Sequence, residues 1–230
     1  MNPNLPTLAR AVVAAWVMIC WSGSRVAVGQ SACADLGGSL DREQVCHGHI
    51  AAADYTLDFS VPLSYPDQPL LTDFLRQTRD EWVDDAQLQP PRDRPPYLLA
   101  ITGTAYHSGP PGSGTRSVVL AMDSDFGAHP VGTYKAFDYD LGKSAPITID
   151  TLFKPGIDPP ETLSPIFLRE LGTRGAGDSP STDPGAEAYR NFAITDDAVI
   201  FFVNQGQVLP AVDGPQEMSV PRAELAPLLS

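Results

Sequence analysis

The sequence predicts an α+β domain: a mixed, mainly antiparallel sheet packed by one long and one shorter helix, with an N-terminal disulfide loop. Apolar and polar residues alternate in segments such as residues 55–61, whereas the apolar residues of segment 70–83 recur at helical spacing. Short, turn-rich loops join the central segments, and such connections favour antiparallel strands. The 230 residues, 43% of them hydrophobic, are enough for one domain with a core.

The elements can be placed in order from these patterns. Tyr55, Leu57 and Phe59 share one face of an early strand, and Pro66 and Asp67 suit the first turn of the long helix that follows. A three-stranded meander is predicted next, at residues 97–108, 116–125 and 134–141. It is followed by a short extended segment at 146–153, a second helix at 158–172 and a flexible loop at 172–185. The last predicted elements are a hairpin at 191–205, a short strand at 217–221 and a closing helix at 222–229.

The first 29 residues are predicted to be a secretory signal peptide. Arg10 precedes an uncharged apolar run at residues 11–21, and Ala27 and Gly29 are small residues at the −3 and −1 positions of a cleavage site. The run is shorter than the ~20 apolar residues that a membrane-spanning helix needs. We therefore expect a signal peptide at 1–29 and a single exported domain at 30–230. A retained N-terminal anchor is the alternative.

Cys33 and Cys46 remain after the predicted cleavage, which removes Cys20. An even pair of cysteines in an exported chain indicates one disulfide, whereas two free thiols would be unusual there. In the loop-entropy model such a bond contributes about 3 kcal/mol of stability.

The chain is strongly acidic. Its formal net charge is −13, and removal of Arg10 and Arg25 with the signal peptide lowers this to −15. Such a surface repels nucleic acid and anionic lipid, and it suits a cationic partner. Solubility alone is the other explanation of the charge.

Several common sites are missing from the sequence. It has no G-x-S-x-G, no G-x-x-x-x-G-K, no G-x-G-x-x-G, no H-E-x-x-H and no C-x-x-C. His47 and His49 form H-x-H on one face of a predicted strand, and Asp54 or Asp58 could add a ligand. The alternative is two polar residues beside the disulfide. No metal ion or other cofactor is predicted.

His129 is the main candidate for acid–base chemistry. It could pair with Asp138 or Asp140 and serve a nearby serine, and the candidates for that serine are Ser113, Ser117 and Ser124. Carboxylates two residues apart on a strand lie ~6.5–7 Å apart. The set Lys135, Phe137, Tyr139 and Leu141 is the better core face, so both aspartates are expected to face solvent or a cleft. A loop histidine beside a solvated strand face is the alternative.

Phe201 and Phe202 lie on opposite faces of one predicted strand. One is expected in the core. The other is expected either under a helix or in an exposed apolar patch.

Five segments together resemble a known family. They are YPDQPLLTDFLRQTRDEWV, GTYKAFDYDL, PITIDTLF, FAITDDAVIFFVNQGQVLP and VPRAEL. From about Cys33 to the C-terminus the chain resembles the mycobacterial secreted immunogenic protein family, which shares a domain with the extracytoplasmic part of RsiV-type anti-sigma factors. The resemblance implies an exported or wall-associated α+β antigen with an N-terminal disulfide. In the anti-sigma relatives the shared domain recognises lysozyme, a cationic protein.

Two functions of different classes follow from the sequence. The first is an exported binding or host-interaction module with an acidic surface, whose partner would be a cationic, lysozyme-like protein or a host protein. The second is a secreted short-chain carboxylesterase without the G-x-S-x-G motif, because some members of the family have been called esterases. The resemblance transfers no catalytic triad, so His129, Asp138 and Asp140 rest on the residue pattern alone.

Overall fold

A computed structural model describes residues 23–91, 96–127, 129–173 and 184–230. Most of the predicted signal peptide and most of the predicted flexible loop lie outside these residues. The predicted cleavage position after Gly29 falls inside the first described helix, α1 (Gly23–Asp35). The domain boundary at residue 30 stays a prediction. No helix among the described residues is long and apolar enough to cross a membrane.

The larger of two sheets has its strands in chain order. In the described residues these are β1 (Gly38–Leu40), β2 (Val45–Ala51), β3 (Tyr55–Pro62), β4 (Tyr97–Ser108), β5 (Thr115–Asp125), β6 (Val131–Asp140) and β7 (Ala145–Ile147). All neighbouring pairs are antiparallel except β3 and β4, which are parallel. A parallel pair needs a crossover connection, and the long helix α2 (Gln68–Leu88) supplies it.

Helix α2 covers one face of the large sheet. Asp67 caps its N-terminus by accepting a hydrogen bond from Leu70 N at 3.4 Å. Leu71 and Leu75 are buried against the sheet, and Trp82 donates from Nε1 to Ser124 Oγ on β5 at 2.8 Å. Leu70 differs from the predicted apolar face because its side chain is 46% exposed.

The structure contains a second, smaller sheet, whereas the sequence patterns predicted a single sheet. Its strands are β8 (Phe192–Ile194), β9 (Ala198–Val203) and β10 (Gln216–Pro221), in the spatial order β10–β9–β8. Phe202 packs toward the large sheet against Tyr106 and Tyr134, with ring centroids 5.9 and 5.2 Å away. Phe201 packs the other way against Phe167. Both phenylalanines are therefore buried, and the exposed apolar patch considered for one of them does not form.

The described residues form four layers, with the two sheets in the middle and a helix on each outer side. In order they are α2, the large sheet, the small sheet and α4 (Pro159–Thr173). The short helices α3 (Ile149–Leu152) and α5 (Arg222–Leu225) flank the small-sheet core. The predicted α+β class, with a mainly antiparallel sheet and a long and a shorter helix, is confirmed. So is the disulfide, because Cys33 on α1 is bonded to Cys46 on β2 with their Cα atoms 5.6 Å apart.

The outer edge of β6 is closed by side-chain amides from the small-sheet unit. Asn191 accepts from Ala136 N at 3.0 Å and donates to Tyr134 O at 3.0 Å. Asn204 accepts from Tyr134 N at 2.6 Å, and Gln205 accepts from Gly132 N at 2.7 Å. These amides satisfy backbone groups that an open edge would expose, since β7 pairs only with Asp138–Asp140.

Candidate functional site

His129 lies exposed in the loop between β5 and β6. Among the described residues, no hydrogen bond or ion pair joins it to a serine or an aspartate. Ser124 is engaged by Trp82, and Ser113 lies in the turn between β4 and β5, where its N–H donates to Pro110 O. The structure therefore does not bring His129, a serine and an aspartate together, and its catalytic role stays a prediction.

Asp138 lies in a different environment from the one its strand pattern suggested. It faces Ser117 on β5, whose Oγ donates to Asp138 Oδ1 at 2.5 Å. Ser117 is 1% exposed and Asp138 is 5% exposed, because the small sheet covers this part of the large one. Asp138 therefore does not face solvent, and of the two environments expected for it, solvent or a cleft, it has the second, as described below. Burial raises the pKa of Asp138 well above its usual value, and the Ser117 hydrogen bond offsets this in part.

Asp140 has a local structural role at the end of β6. It is half-buried, and its carboxylate accepts from Lys143 N at 2.9 Å and forms an ion pair with Lys143 Nζ at 3.6 Å. These contacts close the turn between β6 and β7. Asp138 and Asp140 share a face, as predicted, but they contact different partners.

His47 and His49 are held by two separate carboxylates. His47 Nε2 lies 2.9 Å from Asp41 Oδ2, and His49 Nδ1 lies 2.6 Å from Asp58 Oδ1. The hydrogen bond with His47 lowers the pKa of Asp41. The part of the chain that the structure describes contains no group of three or more potential metal ligands. The arrangement thus provides two histidine–carboxylate pairs on an exposed surface.

These histidines belong to a broad part of the large sheet that the small sheet leaves uncovered, which we call the open face. The strand register places side chains of β2 to β5 there, namely His47, His49, Thr56, Asp58, Ser60, Leu98, Ala100, Thr102, Thr104, Ala121, Asp123 and Asp125. The set contains three aspartates and no lysine or arginine. A shallow depression of about 480 Å³ lies over its centre.

A second concave region, the edge cleft, lies at the β6–β7 edge of the large sheet. Its larger lobe, about 820 Å³, is bounded by β6, β7, α3 and the start of α4, and its smaller lobe, about 380 Å³, lies between β6 and α2. The two lobes share Lys135, Ala136, Asp138, Ile147 and Thr148. Tyr65, from the segment before α2, lines the smaller lobe.

Sequence reasoning missed Tyr65 and Lys135 as candidate site residues. Tyr65 is 5% exposed, and Lys135 extends over the rings of Phe74 and Phe137 at 5.8 and 5.6 Å. Both lie in segments that carry the family resemblance, but neither belongs to a catalytic or ligand-binding motif. The packing of α2 beside β6 is what brings them to one cleft.

The α+β fold of this chain also occurs in a solved bacterial protein, and part of the chain matches a family model. Residues 150–223 match the family described as "Protein of unknown function (DUF3298)". The crystal structure of a DUF3298 family protein from Pseudomonas aeruginosa has a similar fold, with a TM-score of 0.54 at 13% identity. That similarity covers 85% of this chain and 96% of the other.

Sequence comparison then gives the particular family. The chain is 44% identical over 225 residues to esterase Rv3036c of Mycobacterium tuberculosis, covering 96% of this chain and 97% of that protein. It is 39% identical over 224 residues to immunogenic protein MPB64 of Mycobacterium bovis, covering 95% and 97%. The chain belongs to this family of mycobacterial immunogenic proteins.

Proposed function

We propose that the protein is an exported binding module that recognises a cationic protein through the open face. The observation that carries the proposal is the charge of that surface, which holds Asp58, Asp123 and Asp125 and no lysine or arginine. Complementary charge accelerates encounter and selects partners of opposite sign. The net charge of −13 acts in the same direction at longer range.

The shape of the open face also suits a protein partner. Its side chains are mostly small, and the uncovered strands form a broad, shallow surface instead of a deep pocket. The depression of about 480 Å³ is lined by Ser39, His47, His49, Asp58, Ser60 and Thr102, among others. Hydroxyl, imidazole and carboxylate groups on such a surface can accept hydrogen bonds from lysine and arginine side chains.

Two sequence-level expectations support an exported role and a partner of this charge. The predicted signal peptide places the mature chain outside the cytoplasm, either released or retained at the cell wall. The resemblance to the RsiV-type extracytoplasmic domain suggests a lysozyme-like partner. A signalling role is not included in the proposal.

The test is a binding titration of residues 30–230 with lysozyme across a salt series. We compare the wild type with Asp58→Asn/Asp123→Asn, and with Asp84→Asn/Asp85→Asn as a control. The control removes the same charge from exposed positions on α2, the helix that covers the opposite face of the sheet. Loss of two exposed charge contacts should weaken binding about threefold to tenfold at low salt.

The expected result is that only the open-face variant loses affinity and has a smaller salt dependence. Wild-type binding must also weaken as salt rises, because salt screens exposed charges. Binding that does not change with salt, or equal losses in the two double variants, would contradict the proposal.

A second candidate is a short-chain carboxylesterase, favoured by the 44% identity to a relative named esterase. In this reading His129 is the base, with Asp138 or Asp140 as its partner and one of the three candidate serines as nucleophile. The test measures hydrolysis of a short-chain nitrophenyl ester by the wild type and by His129→Ala. Activity that survives the substitution rules out His129 as the base, and activity no higher than buffer rules out the esterase.

A further inference from the structure

The edge cleft contains a buried hydroxyl with no protein partner. Tyr65 is 5% exposed, and its Oη is buried and forms no hydrogen bond within the described part of the chain. A buried hydroxyl without a partner destabilises the folded state. Because Tyr65 lines the smaller lobe, a bound molecule that displaces the side chains covering this hydroxyl could supply the missing acceptor.

Lys135 supplies a cation at the place where the two lobes join. Its side chain is half-buried, and it forms none of the ion pairs found in the described residues. The ammonium lies over the rings of Phe74 and Phe137, 5.8 and 5.6 Å from their centroids. Such contacts orient the ammonium but leave its hydrogen-bond donors free for an anion.

The smaller lobe has mainly aliphatic and aromatic walls, whereas the walls of the larger lobe are about equally polar and apolar. Leu70 is 46% exposed at the smaller lobe, beside Phe74 and Pro146. Ile147 lines both lobes, and Ile149 and Ile157 continue this surface into the larger one. Lobes of about 380 and 820 Å³ fall in the size range of small-molecule sites.

Acidic groups limit where an anion can lie. Asp150 and Asp158 line only the larger lobe, whereas Asp73, in the smaller one, forms an ion pair with Arg76 at 2.7 Å. Asp138 lines both lobes, but burial raises its pKa, which favours the neutral carboxyl. An anionic group is therefore best accommodated beside Lys135, with an apolar chain extending along the isoleucines.

We propose that the edge cleft is a binding site for an aliphatic carboxylate, with the carboxylate held by Lys135 and Tyr65 and the alkyl chain held by Leu70, Phe74 and Ile147. This site is separate from the open face and does not depend on the function proposed for it. The chemistry requires both parts of the ligand: a head group that accepts charge-assisted hydrogen bonds and a chain that buries apolar surface.

The experiment titrates the protein with decanoate, decanol and decyltrimethylammonium by isothermal calorimetry. Decanoate should show saturable binding to one site, and decanol and the cationic amphiphile should each bind at least about tenfold more weakly, since neither offers an anionic acceptor to Lys135. Equal affinity for the three amphiphiles, or no saturable decanoate binding, would overturn the proposal.

Single substitutions then assign the two donors. Lys135→Gln should weaken decanoate about tenfold, and Tyr65→Phe about threefold to tenfold. Lys143→Gln is the matched control, because it removes the same charge at an exposed turn outside the cleft, and it should bind as the wild type does. Wild-type affinity in either cleft variant contradicts the site as proposed.

Folding of the variants is checked separately by urea denaturation. Tyr65→Phe removes an unpaired buried hydroxyl, so its free energy of unfolding should equal or exceed that of the wild type. A loss of decanoate affinity at unchanged stability therefore reports the site and not the fold.

Discussion

Ser117 and Asp138 form a polar pair enclosed between the two sheets. Ser117 Oγ also accepts a hydrogen bond from Ile194 N of the small sheet at 3.4 Å. The pair thus connects β5, β6 and β8. Its burial makes a structural role the best-supported one, since a nucleophile 1% exposed offers no approach to a substrate.

Replacing Ser117 should have a clear cost. Ser117→Ala leaves the Asp138 carboxyl and the Ile194 N–H without a buried partner, so we expect a loss of about 1–3 kcal/mol in the free energy of unfolding. Urea denaturation measures it. The control is Ser113→Ala in the exposed β4–β5 turn, which should change stability little. Equal effects in the two variants would contradict the structural role.

Asp138 should make stability depend on pH. Because burial raises its pKa in the folded chain above the unfolded value, the unfolded chain loses its proton first as pH rises. This contribution to stability is complete below the unfolded pKa, falls between the unfolded and folded pKa values, and stays low above them. Tyr65, whose own pKa is raised by burial and by the nearby Asp138 charge, stays protonated throughout.

Asp138→Asn removes this titration while keeping an acceptor for Ser117. We therefore expect the variant to gain stability relative to the wild type as pH rises from about 4 to 8. Urea denaturation across that range measures the difference, with Asp140→Asn as a control at a less buried site. A difference that stays constant, or that shrinks as pH rises, would refute the expectation.

At the scale of elements, the disulfide holds α1 against the large sheet. Both cysteines are fully buried, and Leu36 and Ala32 pack in the same core. The double variant Cys33→Ala/Cys46→Ala should lose about 3 kcal/mol of stability, because the bond restricts the unfolded chain. Thermal unfolding with and without reductant gives a second measure. If reduction leaves the wild-type midpoint unchanged, the bond is not stabilising.

The amides along β6 protect an edge that could otherwise pair with another chain. Asn191→Leu removes both the acceptor for Ala136 N and the donor to Tyr134 O, so it should cost about 1–3 kcal/mol and promote self-association. Denaturation and light scattering measure the two effects. Gln77→Leu, an amide on the surface of α2, is the control, and a monomeric Asn191→Leu of wild-type stability would contradict the protective role.

For the whole molecule, the contact between the sheets decides whether the layers unfold together. Phe202 is 2% exposed at that contact. Phe202→Ala should lose about 3–5 kcal/mol, since it leaves a cavity in a packed core. Leu88→Ala, at a side chain 82% exposed, is the control and should have almost no effect.

Trp82 makes the coupling measurable, because it is the only tryptophan in residues 30–230 and it packs in the α2 layer. If the four layers form one cooperative unit, Phe202→Ala should shift Trp82 fluorescence and circular dichroism to the same lower midpoint. A fluorescence midpoint that does not move would show that the small sheet unfolds independently.

Local sequence patterns predicted most of the elements from β3 to the C-terminus, the α+β class, the cysteine pair and the acidic charge, but not α1, β1 or α3. They also determined the two faces of β6, because Phe137 and Tyr139 join the core under α2 as their alternation predicts. These properties depend on local periodicity and composition.

What covers each face of a strand depends on the packing of distant segments. The period of β6 marks Asp138 as a polar position outside the α2 core, but the small sheet that buries it is formed by residues more than 50 positions later. For the same reason the sequence could not show that His129 is remote from Ser117, that the open face stays uncovered, or that Tyr65 and Lys135 line one cleft. Each depends on contacts between distant segments, and the pattern within a single strand carries no information about them.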